Sequence, residues 1–256
     1  MTEIRAYDGS TVNARKTEMT PMSTLSEAID NLVTANRILA HENVVDAYGH
    51  ISMRHPDDPG RYFLACSRSP ELVEPGDILE FSLDSQCIDD KGMNLYIERP
   101  IHGSIYAVRP EIMSVVHNHS YAVIPFSVSK APLRPIAHVA ARIGHSVPVW
   151  DIHDNFGDTD LLVSTNEQGG DLARAMGEGR VILMRGHGAT VAGLSIEDAV
   201  MTSVFLQVNA QLQIDALRLG EVTYLHPGEV DIRLARSQDF VGNSRAWEYM
   251  SRRAGC

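Results

Sequence analysis

Ile112-Met-Ser-Val-Val-His117-Asn-His119-Ser120 is the stretch on which the fold turns. Met113, Val115, His117 and His119 alternate with Ile112, Ser114, Val116 and Asn118, the period-two pattern of a β-strand. Both histidines then face one side of that strand with backbones about 7 Å apart, near enough for two imidazoles to converge on one divalent ion. On its own such a pair reads more often as two polar residues at a solvated strand end. Its company changes the reading. A second apolar run, Val181 to Met184, leads directly into Arg185-Gly186-His187-Gly188, and glycines at a strand end are where a backbone bends to present a side chain in a cleft. Glu98 adds a carboxylate just before a helix that opens with Pro100. Three imidazoles and one carboxylate suit Zn²⁺, Mn²⁺ or Fe²⁺ and leave positions open for a substrate.

Outward from these strands, Thr24 and Glu27 form a capping-box pattern, and Ala28, Leu32, Val33, Ala35 and Leu39 share one helical face as far as His41. Short strand-like runs follow at Gly49–Arg54, Tyr62–Cys66 and Ile78–Leu83, separated by turn-rich segments. A short helix is expected over about residues 99–109, a strand at Val147–Trp150 and a helix at Gly169–Met176. A long helix then runs from a Ser195 cap to Gly220. The tail from Glu221 to Cys256 is mixed and Arg-rich. Residues 1–20 show no apolar periodicity and read as a loose arm, which leaves 21–256 as one domain of strands sandwiched by helices.

Composition excludes several classes of function. With 22 Lys and Arg against 33 Asp and Glu, the net charge is −11, which opposes binding to nucleic acid. No stretch approaches the roughly 20 apolar residues of a membrane helix. Three cysteines without CxxC spacing give neither a disulfide framework nor a cysteine zinc knuckle, and fit a reducing cytoplasm. Eleven histidines are the unusual feature, because imidazole is the commonest metal ligand.

Glu98-Arg-Pro-Ile-His102, Ile105-Tyr106, Arg109-Pro110, Val115-Val-His-Asn-His119 and Arg185-Gly-His-Gly188 together resemble the class II aldolase/adducin family over about residues 25–220. The resemblance implies a three-layer αβα sandwich around a mostly antiparallel sheet, and commonly a homotetramer with its site at a subunit boundary. It implies His117, His119 and His187 as metal ligands, and Glu98 as an acid/base group that also reaches the metal.

The departures from the family's sugar-phosphate aldolases bear on substrate. Those enzymes grip a phosphate with a Gly-Asn-x-Ser segment, a Thr/Ser-Gly turn and a Ser-Ser pair, all small donors and backbone N–H groups. Here the segments read Gly49-His-Ile-Ser52, Cys66-Ser-Arg-Ser69 and Tyr96-Ile97. A flat, anionic aromatic ring facing His50, Ser67, Arg68 and Tyr96 fits these residues better than a phosphorylated sugar. The pattern is similar to a decarboxylase branch of the family that acts on hydroxylated aromatic or pyridine dicarboxylates. The expected activity is therefore a metal-dependent, non-oxidative decarboxylation, with Glu98 or His50 protonating the ring carbon and Arg68 clamping a second carboxylate. The competing readings are an aldolase or epimerase acting on a sugar-like substrate, and a non-catalytic scaffold, which would have no need of convergent imidazoles.

Other residues carry weaker signals. His102 lies one helical turn after Glu98 and either orients it or packs. Arg185 either contacts substrate or pairs with an acid, His138 and His145 read as core histidines, and Trp247 and Tyr249 as parts of a surface tail.

Overall fold

A computed structural model gives the fold of residues 24–236 and 242–256; the expected arm at 1–20 lies outside the described residues. Helix α1 (Leu25–His41) starts at Thr24, whose hydroxyl accepts the Glu27 N–H while the Glu27 carboxylate accepts the Thr24 N–H at 2.7 Å. This is the reciprocal cap expected of that spacing. Three antiparallel strands follow, β1 (His50–Arg54), β2 (Arg61–Ala65) and β3 (Ile78–Ser82). After α2 (Pro100–Val108) come β4 (Ser114–Asn118), the single turn α3 (Ile124–Ser127), β5 (Val149–Trp150) and another short turn, α4 (His153–Phe156). The chain continues through α5 (Asn166–Met176), β6 (Val181–Met184), β7 (Gly188–Gly193), α6 (Ile196–Leu219), α7 (Pro227–Arg236) and α8 (Gly242–Arg253).

The seven strands form one sheet in the order β3-β2-β1-β4-β7-β6-β5, antiparallel throughout except for the β5–β6 pair. Helices α2 and α5 pack together on one face, while α1 and α6 cover the other, which gives the expected αβα sandwich. Leu32, Ile38 and Leu39 of α1 are fully buried in that packing, and each contributes about 1.5–3 kcal/mol by leaving water. Helix α6 also buries two amides that act as a substitute strand edge. Asn209 accepts from Ile136 N–H at 2.9 Å and donates to Arg134 C=O at 2.8 Å, and Gln213 accepts from Arg134 N–H and donates to Pro132 C=O. The backbone at 132–136, which has no strand partner on that side, is thereby satisfied.

The structure departs from the sequence reading in four places. The run Gly188-Ala-Thr-Val-Ala-Gly193 is a central strand rather than a connector, and it is made of small residues because its neighbours come so close. A Cβ on Gly188 would lie 2.0 Å from the Asn118 carbonyl oxygen. Strand β4 ends at Asn118, so His119 is the first residue beyond it. Helix α5 begins at Asn166, three residues before the expected start, because Thr165 and Gln168 make a second capping box. The tail folds as two helices, and α8 tucks Met250 into the core with Trp247 partly buried beside it.

Two adjacent glycines in α5 provide a stability test. A Cβ on Gly169 would meet the Pro100 carbonyl oxygen and the Ser104 hydroxyl at 2.6 Å, because α5 rests directly on the first turn of α2, whereas one on Gly170 would meet only the flexible end of Arg174 at 3.4 Å. Gly170→Ala is therefore expected to stabilise the protein by about 0.5–1 kcal/mol through helix propensity. Gly169→Ala is expected to destabilise it by about 1–3 kcal/mol through overpacking. Urea denaturation of the two variants checks both, and equal effects would mean that the α2–α5 contact is looser than described.

Candidate active site

Glu98, His117, His119 and His187 meet where the end of α2's entry loop, the end of β4 and the β6–β7 turn come together. His117 Nε2 stands 3.1 Å from His119 Nε2 and 3.2 Å from Glu98 Oε2, and His187 Nε2 stands 3.1 Å from His119 Nε2 and 3.5 Å from Glu98 Oε2. One ligand atom from each of the four lies within 4.8 Å of the other three. Three chain segments far apart in sequence therefore converge on a single point.

The outer atoms of these groups are held by a second set of contacts. His119 donates from Nδ1 to the Asp46 carboxylate at 3.1 Å, and Asp46 is itself fixed by the N–H groups of Tyr48 at 2.8 Å and Gly49 at 3.0 Å. His187 donates from Nδ1 to the Leu161 carbonyl at 3.0 Å, and Glu98 Oε1 accepts from Val163 N–H at 2.9 Å. Leu161 is in the left-handed region, φ 68°, which costs about 1 kcal/mol or more for a residue with a Cβ and aims its carbonyl at His187. With both protons on Nδ1, the His119 and His187 Nε2 atoms face each other lone pair to lone pair at hydrogen-bond distance. That approach is repulsive on its own, and a cation between the nitrogens relieves it, so the donor set fits a divalent ion.

Electrostatics agree with this geometry. Burial alone would raise the Glu98 carboxyl, but the His117 and His187 imidazoles outweigh it and hold the group ionised, far below the usual carboxylate range. Burial pushes the His117 imidazole down. His187 is pushed the same way by burial, yet the neighbouring Glu98 carboxylate and the Leu161 carbonyl leave it raised.

A cavity of about 370 Å³ opens beside the cluster, and His50, Ser67, Arg68, Tyr96 and Glu98, all expected around a substrate from the sequence, line it. Its size suits a small aromatic ligand. Arg68 pairs with Asp77 at 3.0 Å and keeps its side chain 40% exposed, so it is anchored but still accessible. The Tyr96 hydroxyl donates to the Arg68 carbonyl, so Tyr96 offers the cavity its ring, 4.4 Å from the His50 ring, rather than a donor. Ile97 and Leu162 supply apolar wall. A larger cavity of about 470 Å³, between α6 and α8, touches none of the cluster.

The structure also decides the weaker signals. His102 does not reach Glu98; its Nε2 meets His50 Nδ1 at 2.7 Å and its Nδ1 meets Ser52 Oγ at 2.6 Å. Arg185 pairs with Asp151. His138 and His145 are exposed rather than core, and His145 pairs with Asp231 at 2.9 Å. Sequence reasoning gave no role to Asp46, Leu161 or Val163. Only Asp46 left a trace, as the residue opening the segment Asp46-Ala-Tyr-Gly-His-Ile-Ser52.

Comparison with known proteins agrees with the fold. Residues 30–214 match the family described as the Class II Aldolase and Adducin N-terminal domain, and the chain belongs to that family. It is 32% identical over 205 residues to a decarboxylase, tropJ, of Talaromyces stipitatus, covering 75% of this chain and 77% of that protein. It is 28% identical over 208 residues to a 3,4-dihydroxyphthalate decarboxylase of Arthrobacter keyseri, covering 75% and 80%. Among solved structures, an aldolase II superfamily protein from Pseudomonas syringae, 21% identical, superposes with a TM-score of 0.76 over 92% of this chain and 94% of that one, which shows the shared fold.

The second set of contacts generates a metal-binding prediction. Asp46→Asn keeps the shape but removes the charge that orients His119, and affinity for added Zn²⁺ or Mn²⁺ is expected to fall about 10–100-fold. His187→Ala is expected to lose more, because a ligand itself is deleted. Competition with a chelating dye measures both, and unchanged affinity in His187→Ala would remove that residue from the coordination sphere.

Proposed function

We propose that this protein is a divalent-metal-dependent, non-oxidative decarboxylase of a hydroxylated aromatic dicarboxylate in which hydroxyl and carboxylate are adjacent. The observation that carries the reading is the cavity beside the Glu98–His117–His119–His187 cluster, where His50, Arg68 and Tyr96 stand in place of small phosphate-binding residues. Decarboxylases among the relatives, tropJ and the 3,4-dihydroxyphthalate decarboxylase included, support the same reaction type. His117, His119 and His187, with Glu98, would hold Zn²⁺, Mn²⁺ or Fe²⁺. When bound, such an ion supplies a Lewis-acid sink for the electron pair left as a carbon–carboxylate bond breaks.

The chain's own residues do the rest. Arg68, fixed by Asp77, binds the carboxylate that is retained. The Tyr96 ring, Ile97 and Leu162 flank the plane of the substrate and keep water from the ring carbon. Glu98 takes the proton of the ring hydroxyl and returns it to the carbon from which CO₂ departs, so the proton count closes within the site. Since the net charge of −11 repels an anion, attraction has to come from Arg68 and the histidines at short range. Exposed Tyr121, Val208 and Leu212 offer apolar surface for the homotetramer that the family resemblance implies. Aldol cleavage could use the same cluster, but the residues replacing the phosphate cradle argue against a phosphorylated sugar.

The reading is tested by measuring CO₂ release from hydroxyphthalates and hydroxypyridine dicarboxylates after reconstitution with each ion. Arg68→Ala is expected to cost about 1.5–3 kcal/mol in kcat/KM with a dicarboxylate, the range for a hydrogen bond to a charged group, and much less with the matching monocarboxylate. Cleavage of fuculose or ribulose phosphates, with no CO₂ from any hydroxylated aromatic acid, would favour the aldolase instead.

A further inference from the structure

Behind the cavity the core contains a line of polar groups that the reaction as described does not use. His50 Nδ1 meets His102 Nε2 at 2.7 Å, His102 Nδ1 meets Ser52 Oγ at 2.6 Å, and Ser52 Oγ meets the Tyr106 hydroxyl at 2.8 Å. His50, Ser52, His102 and Tyr106 are all buried. The line stops at Tyr106, whose ring packs against Tyr62 at 5.4 Å and under the Arg54 guanidinium at 4.8 Å. Arg54 gives its own N–H groups to the carbonyls of Pro59, Tyr106, Arg109 and Ile112.

Each hydrogen bond in the line needs one proton, and with neutral imidazoles three assignments are possible, because a hydroxyl oxygen can accept twice. In one, Tyr106 donates to Ser52, Ser52 to His102 Nδ1, and His102 Nε2–H to His50 Nδ1. Every donor within the line is then satisfied, and the His50 proton must sit on Nε2, the nitrogen not bound to His102, on a ring that lines the cavity. In the other two, His102 donates from Nδ1 to Ser52, and either the Tyr106 or the Ser52 hydroxyl proton is left without an acceptor along the line; a buried unsatisfied donor is the costlier arrangement.

We infer that Tyr106, Ser52 and His102 form a one-way hydrogen-bond chain that fixes His50 as an Nε2–H donor, holding an anionic oxygen of the substrate rather than passing a proton to it. His102 and Ser52 are thus positioning residues, and His50 is a binding residue. The chain cannot work as a relay. For His50 to release its Nε2 proton and remain neutral, each proton behind it would have to move one place forward, from His102 to His50, from Ser52 to His102 and from Tyr106 to Ser52. That leaves a tyrosinate in the interior, where burial pushes the phenol well above its ordinary value. Glu98 is then the group that carries the proton. This assignment of roles rests on the decarboxylase reading; the tautomer does not.

Ring-nitrogen NMR of ¹⁵N-histidine-labelled, Zn²⁺-loaded protein, with His50 assigned by its absence in His50→Gln, tests the tautomer without any substrate. The expected result is a protonated Nε2 and a bare Nδ1, and loss of that single form in Ser52→Ala. A proton on Nδ1 in the parent protein overturns the inference. The kinetic arm separates binding from proton transfer. His50→Gln keeps an N–H for the cavity and an acceptor for His102, so its KM is expected to rise while kcat stays within about tenfold; His50→Leu, with no donor, should raise KM further. If His50→Gln instead loses 10²–10⁴ in kcat, as removal of a proton donor does, the donor-only role fails. Should no hydroxylated aromatic acid release CO₂, the reaction reading fails while the NMR result still decides the tautomer.

Discussion

The contact between the Gly188 backbone and the Asn118 carbonyl sets everything else at the site. It lets the first residue of β7 lie against the last residue of β4, and so places His187 and His119, each one residue outside its strand, with their Nε2 atoms 3.1 Å apart. A side chain at 188 would push the two strands apart by more than the cluster's own tolerance. Glu98 joins from a third direction, because α2 is held down by α5 across the Gly169 contact. The geometry of four side chains is therefore decided by backbone proximity in the sheet and between two helices.

Such a concentration of polar groups in a core is stable only if every outward-facing atom is occupied. Asp46 serves His119, the Leu161 carbonyl serves His187 and the Val163 N–H serves Glu98. His117 is the exception, since its buried Nδ1 has no partner among the described residues. The line from His50 to Tyr106 follows the same rule deeper in the protein. Large apolar side chains such as Ile51, Ile101 and Ile105, all nearly inaccessible, surround these polar strings and exclude competing water.

The parts of this arrangement that were legible in the sequence are those whose chemistry is rare or whose period is strong. His117, His119 and His187 stand out because histidines flanking apolar runs have few other uses, and α1 and α6 because their caps and apolar faces are explicit. Strand β7 escaped notice because four of its six residues are Gly or Ala, which are depleted in strands; packing demanded them there. Asp46 is one acid among 33 Asp and Glu, and nothing local separates it from a solvated one. Leu161 and Val163 act through backbone atoms, which no residue type announces. His102 stayed undecided between orienting Glu98 and packing, because its spacing along the helix points at Glu98 whereas its partners lie on β1, across the face of the sheet.

The segment that carries Leu161 and Val163 serves the site in two ways. It steadies His187 and Glu98 with one carbonyl and one N–H, while the Thr159 hydroxyl and the Asp160 carboxylate accept from the Leu161 and Leu162 N–H groups and hold its turn, so the Leu162 side chain is not committed to that task. Leu162 nevertheless lines the cavity. A change of side chain at 162 can therefore reshape the cavity wall without touching the hydrogen bonds that hold His187 and Glu98, because one task falls to the backbone and the other to a side chain.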